Sequence, residues 1–409
     1  MRVNHQELTS IATVMALRVA VLAAKFALIV TMGRWLSLAD IGIYGMIVAA
    51  TVVYSKLAGL GVGLHGNRLL AASSHTTIQT LRHAAFLFAG LYLITLTIGM
   101  LLASAWSLHA WPLILALCIM VLDHAGHELT QLAVVRHRHV FGGLVFFLRS
   151  GIWCYAGLAI AFVWPDFFTL NSILLVWAIS AACAVGVGLL GHMSLWRGVH
   201  APSASLWNTL RQSFWLYVGV VMQTALLFVD RSMLALLAPW NDVGLFVFCW
   251  SLFNVVLMLC QTGSIQRIYP RIIEAHGVAH ATLVDQLHQR MVIRTFLLAF
   301  VGCGGLYVLG LIALPWLGKA DLVSVWPWLA VGMALATVLR ALADAEYHTL
   351  YATGHDRRMA YVLLGVMGLT VIVSCLTITA WGLVGGVISQ MVAAWLMWAM
   401  LRGLRVRGA

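Results

Sequence analysis

The segment from Met359 to Leu401 reads MAYVLLGVMGLTVIVSCLTITAWGLVGGVISQMVAAWLMWAML and contains no Asp, Glu, Lys or Arg. A helix that crosses the hydrocarbon core of a bilayer needs about 20 apolar residues. The segment is therefore long enough for two membrane-spanning helices. We predict one span over residues 359–380 and a second over residues 383–401, with Trp381 and Gly382 between them.

The rest of the chain continues this pattern. Of its 409 residues, 62% are hydrophobic and only 9% are charged, whereas soluble globular domains have about 25% charged residues. Short polar segments separate further apolar stretches of spanning length. The remaining predicted spans are 9–33, 41–64, 82–105, 111–135, 140–164, 170–193, 212–237, 243–266, 292–315 and 327–351. We therefore predict an all-α integral membrane protein with about twelve transmembrane helices.

The distribution of basic residues predicts the orientation. Most Lys and Arg residues at span ends lie on the side of the N-terminus, and the opposite side carries only Arg34 and Lys319. The positive-inside rule then places both termini in the cytoplasm. The net charge of +11 is explained by loop ends that face anionic membrane lipids, so nucleic acid is not an expected partner.

The loops are too short for a catalytic or nucleotide-binding domain, and no Walker motif or GxGxxG turn occurs. We therefore expect no enzymatic activity and no cofactor. The seven cysteines all lie in apolar spans without a CxxC motif, which predicts small core residues and no disulfide or metal ligand. These features favour a secondary transporter or flippase.

A short repeat relates the two halves of the chain. The segment Asp40-Ile41-Gly42-Ile43-Tyr44 matches Asp242-Val243-Gly244-Leu245-Phe246 position by position, half the chain later. Each copy begins the second span of its half, and we expect Asp40 and Asp242 to cap those helices. The repeat predicts a six-helix lobe over residues 1–198 and another over residues 199–409, related by an axis along the membrane normal.

Several short motifs resemble a known family. They are Gly33-Arg34-Trp35-Leu36-Ser37-Leu38-Ala39-Asp40-Ile41-Gly42-Ile43-Tyr44, Val229-Asp230-Arg231-Ser232-Met233-Leu234, Tyr269-Pro270-Arg271, Gly354-His355-Asp356-Arg357-Arg358 and Trp381-Gly382-Leu383-Val384-Gly385-Gly386. Together they resemble the Wzx-type polysaccharide and O-antigen flippases, in the polysaccharide-transporter branch of the multidrug/oligosaccharidyl-lipid/polysaccharide exporter (MOP) superfamily.

This resemblance implies two six-helix lobes around a central cavity, as in the MATE-like fold. It implies a flippase that moves an undecaprenyl-pyrophosphate-linked oligosaccharide across the bacterial inner membrane by alternating access, with coupling to protons. Membrane lipids and, for lipopolysaccharide assembly, polysaccharide polymerase or assembly proteins would be its partners. 

Eleven charged residues lie inside the predicted spans, where a charge costs at least about 2.5–3.5 kcal/mol unless it pairs or meets water. The basic ones are Arg18, Lys25, Lys56, Arg149, Arg231 and Arg340, and the acidic ones are Asp123, Glu128, Asp230, Asp344 and Glu346. Arg18 and Lys25 are two helical turns apart and share a face. We predict that Arg18, Lys25, Lys56, Arg149 and Arg340 bind an anionic substrate; ion pairs between helices are the alternative.

The fourth span carries a titratable cluster of Asp123, His124, His127 and Glu128. Such a cluster suits proton coupling, because exposure to either side can switch its protonation. A satisfied polar patch is an equally good interpretation. A metal site is not expected, since the segment after His127 and Glu128 lacks the second histidine of an HExxH motif.

Further coupling or charge-pair candidates lie in the second half. Arg340, Asp344 and His348 form one stripe of the tenth span, where we expect Arg340 and Asp344 to pair and Glu346 to point elsewhere. In the seventh span, Asp230 is a candidate and Arg231 is expected to reach the outer surface or pair with a neighbour.

Three alternatives to the flippase remain open. One is an export component that works with a separate polysaccharide synthase, and another is a MATE-like small-molecule or cation antiporter. A cation antiporter would favour an acidic cavity, whereas the residues within the spans are slightly more basic than acidic. A membrane glycosyltransferase is the third, and it lacks an accessible acid or base beyond a few loop aspartates.

Overall fold

The computed structural model describes residues 5–60, 87–101, 110–136, 138–193, 205–278, 281–318 and 320–408. Every regular element in these ranges is helical, and no strand occurs in them. Helical structure is expected, since a membrane-spanning segment must satisfy all of its backbone hydrogen bonds internally. The prediction of an all-α fold is confirmed.

Seven α-helices lie in the first half of the described chain. They are α1 (His5–Trp35), α2 (Leu38–Ala58), α3 (Leu87–Leu101), α4 (Ala110–Val135), α5 (His139–Ser150), α6 (Ile152–Val163) and α7 (Leu170–Gly191). Helices α5 and α6 are separated only by Gly151 and together form one apolar span, from His139 to Val163.

Seven more α-helices follow. They are α8 (Ser205–Ala225), α9 (Val229–Leu237), α10 (Trp240–Cys260), α11 (Gln266–Gly277), α12 (Ala281–Ala313), α13 (Ala320–Ala352) and α14 (Asp356–Gly408). A π-helical turn, Gln261–Ile265, joins α10 to α11. Helices α8 and α9 meet at a bend of 49° and form one broken span.

Helix α14 is a hairpin of two helices. The backbone of Gly382 has φ of 54° and ψ of −125°, outside the helical region. The hydroxyls of Ser374 and Ser389 are 2.5 Å apart, although the corresponding length of straight helix would separate them by about 22 Å. The chain therefore reverses at Gly382, as predicted for the boundary between the last two spans.

The described residues contain nine helices long and apolar enough to cross a membrane, or ten with the bent pair α8 and α9. The shorter apolar helix α3 and the reversal within α14 account for the other two predicted spans. The chain is a multi-pass membrane protein, and its helices correspond to the twelve predicted spans.

The start of α2 carries a side-chain cap. The backbone amide of Asp40 donates to Ser37 Oγ over 3.1 Å, and the same hydroxyl donates to the Asp40 carboxylate over 2.6 Å. Ser37 is thus the N-cap, and the Asp40 carboxylate in the first turn accepts a hydrogen bond from the capping hydroxyl. In α10 the N-cap is Pro239, without a side-chain cap bond. The prediction that Asp40 and Asp242 are themselves the caps is wrong.

The described chain divides into two compact units. Unit 1 comprises residues 1–31 and 47–217, and unit 2 comprises residues 32–46 and 218–409. The predicted lobe boundary between residues 198 and 199 lies outside the described residues.

The two copies of the repeat contact each other within unit 2. A Cβ added to Gly42 would lie 3.1 Å from the backbone nitrogen of Gly244, and one added to Gly244 would overlap the carbonyl of Leu38. Helices α2 and α10 therefore cross at backbone contact, which only glycine permits at these positions. The repeated glycine has a packing role that its position at the start of both helices did not reveal.

Candidate functional site

Unit 1 brings Asp123 on α4 and Arg149 on α5 together in an ion pair. A guanidinium nitrogen of Arg149 is 2.6 Å from Asp123 Oδ2 and also donates to the Asp123 carbonyl over 3.2 Å. Both side chains are largely buried. Gly126 makes this approach possible, because a Cβ there would lie 2.9 Å from Arg149 Cδ. We call this pair and its neighbours the Asp123 cluster.

His124 is the most deeply buried member of the Asp123 cluster. Its Nδ1 lies 2.6 Å from the Tyr92 hydroxyl, and its Nε2 lies 3.5 Å from Glu128 Oε1, one helical turn away. The rings of Tyr54 and Phe88 meet the imidazole edge-on. The ring is therefore held between a phenol and a carboxylate, in surroundings that are otherwise aromatic.

Lys56 and His127 complete the Asp123 cluster. Lys56, near the end of α2, interacts electrostatically with Glu128, Arg149 and Asp123. The His127 ring interacts with Arg149 and Lys56 in the same way. Six of the predicted site residues from three helices thus form one group in unit 1.

The Asp123 cluster holds the two kinds of group that proton exchange requires, an imidazole and a carboxylate. Asp123 is ion-paired with Arg149. The carboxylate of Glu128 instead lies 3.5 Å from the His124 imidazole and interacts at longer range with the Lys56 ammonium. A buried imidazole and carboxylate at 3.5 Å can share one proton, and the charge state of each depends on the other. No group of three potential metal-ligating side chains occurs among the residues described.

Arg18 and Lys25 are predicted cations of unit 1 that lie apart from the Asp123 cluster. Both are on α1 within its apolar segment, with Arg18 exposed and Lys25 half-buried near Cys154. Neither has a carboxylate within ion-pair distance among the described residues. Within the described part of the chain they are therefore cations without counter-charges in a membrane span.

Unit 2 contains a second charged group, the Asp344 cluster. Arg340 and Asp344 pair one turn apart on α13, with 3.4 Å between Nε and Oδ1, as predicted. Arg340 also donates to the backbone carbonyl of Gln223 over 2.8 Å. The side-chain amides of Gln223 and Gln261 donate to the two Asp344 oxygens over 3.2 and 3.4 Å. Gln261 begins the π-helical turn, a feature that often marks functional sites.

Asp230 on α9 is buried beside the Asp344 cluster. Its Oδ1 accepts hydrogen bonds from Ser389 over 2.7 Å and from Ser374 over 3.4 Å. These two hydroxyls lie on the two arms of the α14 hairpin. Asp230 also interacts electrostatically with Arg340, which links the carboxylate to the Asp344 cluster.

Of the two alternatives predicted for Arg231, the structure excludes the outer surface and supports pairing with neighbouring residues. Its side chain is only 3% exposed and so does not reach the outer surface. The guanidinium instead lies 4.7 Å from the ring centre of Phe228 and 5.0 Å from that of Trp250, in cation–π contact with both. It donates to the Leu227 carbonyl over 3.3 Å.

His348 does not join the carboxylate of Asp344. Its Nδ1 is 2.7 Å from the Asp344 backbone carbonyl, and its ring packs against Tyr269 and Tyr347. The predicted stripe of the tenth span therefore separates into an ion pair and an aromatic-packed histidine.

A further ion-pair network was missed at the level of sequence. Glu346 accepts from Arg405 Nε over 2.8 Å and lies 3.4 Å from His288 Nε2. The other His288 nitrogen is 2.9 Å from Thr349 Oγ1. The only signal in the sequence was an acid inside a span, because its partners are 59 and 58 residues away in different helices.

The structure is similar to solved structures of transporters. An inward-facing multidrug resistance MATE family transporter of the MOP superfamily aligns with a TM-score of 0.69 and 15% identity, covering 94% of each chain. An outward-facing conformation of such a transporter aligns with a TM-score of 0.66 and 14% identity, covering 97% of this chain and 95% of that one.

A MOP superfamily transporter from Pyrococcus furiosus, for which reverse polarity of the binding pocket suggests a different function, aligns with a TM-score of 0.61 and 14% identity. It covers 98% of this chain and 94% of the other. No family model matches the sequence, and no curated protein matches it.

The chain therefore has the fold of MATE transporters of the MOP superfamily. The predicted superfamily fold is confirmed. The branch of polysaccharide flippases stays a prediction, because the similar structures named above are MATE or other MOP transporters.

Proposed function

We propose that this protein is a secondary transporter that works by alternating access. Support comes from the MATE fold, which is similar to solved structures in both inward-facing and outward-facing conformations. The Asp123 cluster supplies the coupling site, in which His124 and Glu128 exchange a proton. We place the protein in a bacterial inner membrane with cytoplasmic termini, because its basic residues concentrate on that side.

The cargo that we propose is anionic. The observation that carries this proposal is the pair of cations Arg18 and Lys25, which share a face of α1 and have no carboxylate partner in the described structure. A cation inside a membrane span is costly unless an anion or water compensates it. A pyrophosphate group compensates two cations at once, and arginine binds phosphate oxygens in pairs.

Two cargo classes follow from different observations. The comparisons favour small-molecule export, since the similar structures include multidrug resistance MATE transporters. The two cations on α1 favour an undecaprenyl-pyrophosphate-linked oligosaccharide over a cationic drug, as does the motif resemblance to polysaccharide flippases. The MOP transporter from Pyrococcus furiosus, with a binding pocket of reverse polarity, offers a precedent for changed pocket charge in this fold.

Reconstituted transport distinguishes the two classes. Proteoliposomes would receive either a fluorescent polyprenyl-pyrophosphate oligosaccharide or a fluorescent lipophilic cation, under an imposed proton gradient. We expect the wild type to move the pyrophosphate probe and the variant Arg18→Gln/Lys25→Gln to lose at least about 90% of that rate, since two charge-assisted contacts would be removed. Arg34→Gln is the matched control, an exposed arginine at the end of the same helix.

Transport of the cation alone, with the double variant as active as the wild type, would overturn the anionic cargo and favour the antiporter. Failure to move either probe in folded protein would count against both and favour a synthase-dependent export component.

A further inference from the structure

A groove of about 610 Å³ lies between three helices of unit 2, where α12 begins and α13 and α14 end. Its apolar wall includes Ile293, Phe296 and Leu297 of α12 and Trp398 of α14. Phe296 is 42% exposed and Leu297 is 53% exposed. In a membrane span, exposed apolar side chains of this size contact acyl chains.

The other end of the groove is charged. Arg405 there pairs with Glu346 over 2.8 Å and approaches Asp285 over 3.7 Å. Glu346 is 3% exposed, so its carboxylate can pair only with residues of the protein. The Asp285 side chain, by contrast, is 68% exposed. Arg405 is therefore balanced internally, and Asp285 retains capacity for another cation.

Arg402 is the complementary cation. Its guanidinium lies 5.2 Å from the ring centre of Trp398, and the side chain lines the groove. No carboxylate lies within ion-pair distance of Arg402 among the residues described. The groove thus offers one cation and one anion to an occupant, beside an apolar wall.

We propose that this groove binds a zwitterionic glycerophospholipid with a primary ammonium headgroup, of the phosphatidylethanolamine class. The phosphodiester lies on Arg402, the ammonium on Asp285, and one acyl chain along Phe296 and Leu297. The lipid comes from the leaflet on the side of the C-terminus, because the charged end of the groove is formed by the end of α14. Basic pockets between transmembrane helices are known lipid headgroup sites.

Charge balance selects the headgroup. An anionic phospholipid such as phosphatidylglycerol has a neutral glycerol where phosphatidylethanolamine has its ammonium, so it would leave the Asp285 carboxylate without a counter-charge. An ammonium in the same place would pair with that carboxylate. The groove therefore favours a zwitterionic over an anionic phospholipid. Arg402 alone would not distinguish the two lipids, because both carry a phosphodiester.

Native mass spectrometry of the full chain, released from nanodiscs of equal phosphatidylethanolamine and phosphatidylglycerol content, tests the proposal. We expect wild type to retain one phosphatidylethanolamine molecule in preference to phosphatidylglycerol. Arg402→Gln lowers the retained fraction about tenfold, which corresponds to about 1.4 kcal/mol. Asp285→Asn keeps the lipid site but should remove the preference for phosphatidylethanolamine, because the ammonium then has no carboxylate partner.

Two further variants keep the test specific. Arg357→Gln is the matched control. Arg357 is an exposed arginine at the start of α14, 5.7 Å from the ring centre of Tyr361, and it lies outside the groove. It should leave lipid retention unchanged. Leu297→Trp fills the apolar wall without altering charge, and it should also displace the lipid.

Equal loss of lipid from Arg402→Gln and Arg357→Gln would overturn the proposal, as would a wild-type preference for phosphatidylglycerol or retention of no phospholipid at all. The readout is retained lipid and not transport, so the outcome is independent of the cargo proposed above.

Discussion

Asp123 and Arg149 form an ion pair of 2.6 Å between α4 and α5, above a glycine that leaves room for the arginine stem. The pair joins two adjacent helices of unit 1. It also fixes the position of the Asp123 side chain, which directly precedes His124 in the sequence. Because Asp123 is thereby occupied, the proton exchange that we propose for this region is assigned to His124 and Glu128.

The first prediction concerns the stability of this pair. Asp123→Asn leaves the Arg149 charge without its counter-ion and should lower the free energy of unfolding by about 3–5 kcal/mol, as for other broken buried pairs. The double variant Asp123→Leu/Arg149→Met should recover most of that loss. Thermal unfolding in detergent measures both, and wild-type stability in Asp123→Asn would contradict the prediction.

The second prediction concerns coupling. Glu128→Gln removes the carboxylate that faces His124 over 3.5 Å, so the imidazole loses the partner with which we propose that it exchanges a proton. Net transport driven by a proton gradient should fall to the rate measured without the gradient, while exchange of cargo across the membrane persists. The exposed acid Glu274 on α11 provides the control, as Glu274→Gln. Retained gradient dependence in Glu128→Gln would exclude this coupling site.

The third prediction concerns Asp230 and the α14 hairpin. Ser389→Ala removes a 2.7 Å hydrogen bond to a buried carboxylate, which should cost about 1.5–3 kcal/mol of stability. In an Asp230→Asn background the same change should cost less, because the acceptor is neutral. A double-mutant cycle on thermal stability measures the difference.

Thr379→Ala serves as the control for the cycle, since that exposed hydroxyl bonds only within its own helix. Equal costs of Ser389→Ala in both backgrounds would show that the hydroxyl does not stabilise the Asp230 charge.

The helices could be predicted because the membrane imposes a simple rule on sequence. A run such as residues 359–401 must satisfy its backbone hydrogen bonds internally, so length and apolarity define spans. Even the reversal at Gly382 was visible as a Trp-Gly pair between two runs. The ion pair of Arg340 with Asp344 was equally accessible, because helical spacing alone brings them together.

Contacts between helices could not be predicted in the same way. Glu346 meets Arg405 only because the second arm of the α14 hairpin packs against α13. The two hydroxyls that donate to Asp230 belong to Ser374 and Ser389, which are 144 and 159 positions away in the sequence. Arg231 was expected to reach the outer surface or to pair with a neighbour, and its neighbours are the rings of Phe228 and Trp250, since aromatic faces also stabilise a cation.

The last prediction concerns the repeated glycines. Gly244→Ala places a methyl group on the Leu38 carbonyl, so α2 and α10 must move apart, and overpacking of this kind costs about 1–3 kcal/mol or more. Gly365→Ala is the matched control, because no atom lies within 4 Å of the added Cβ, and alanine there should be neutral or favour the helix. Thermal unfolding of the two variants, compared with wild type, measures the effect. Equal stability of Gly244→Ala and Gly365→Ala would mean that α2 and α10 can accommodate a methyl group where they cross. The repeat would then need an explanation other than close packing.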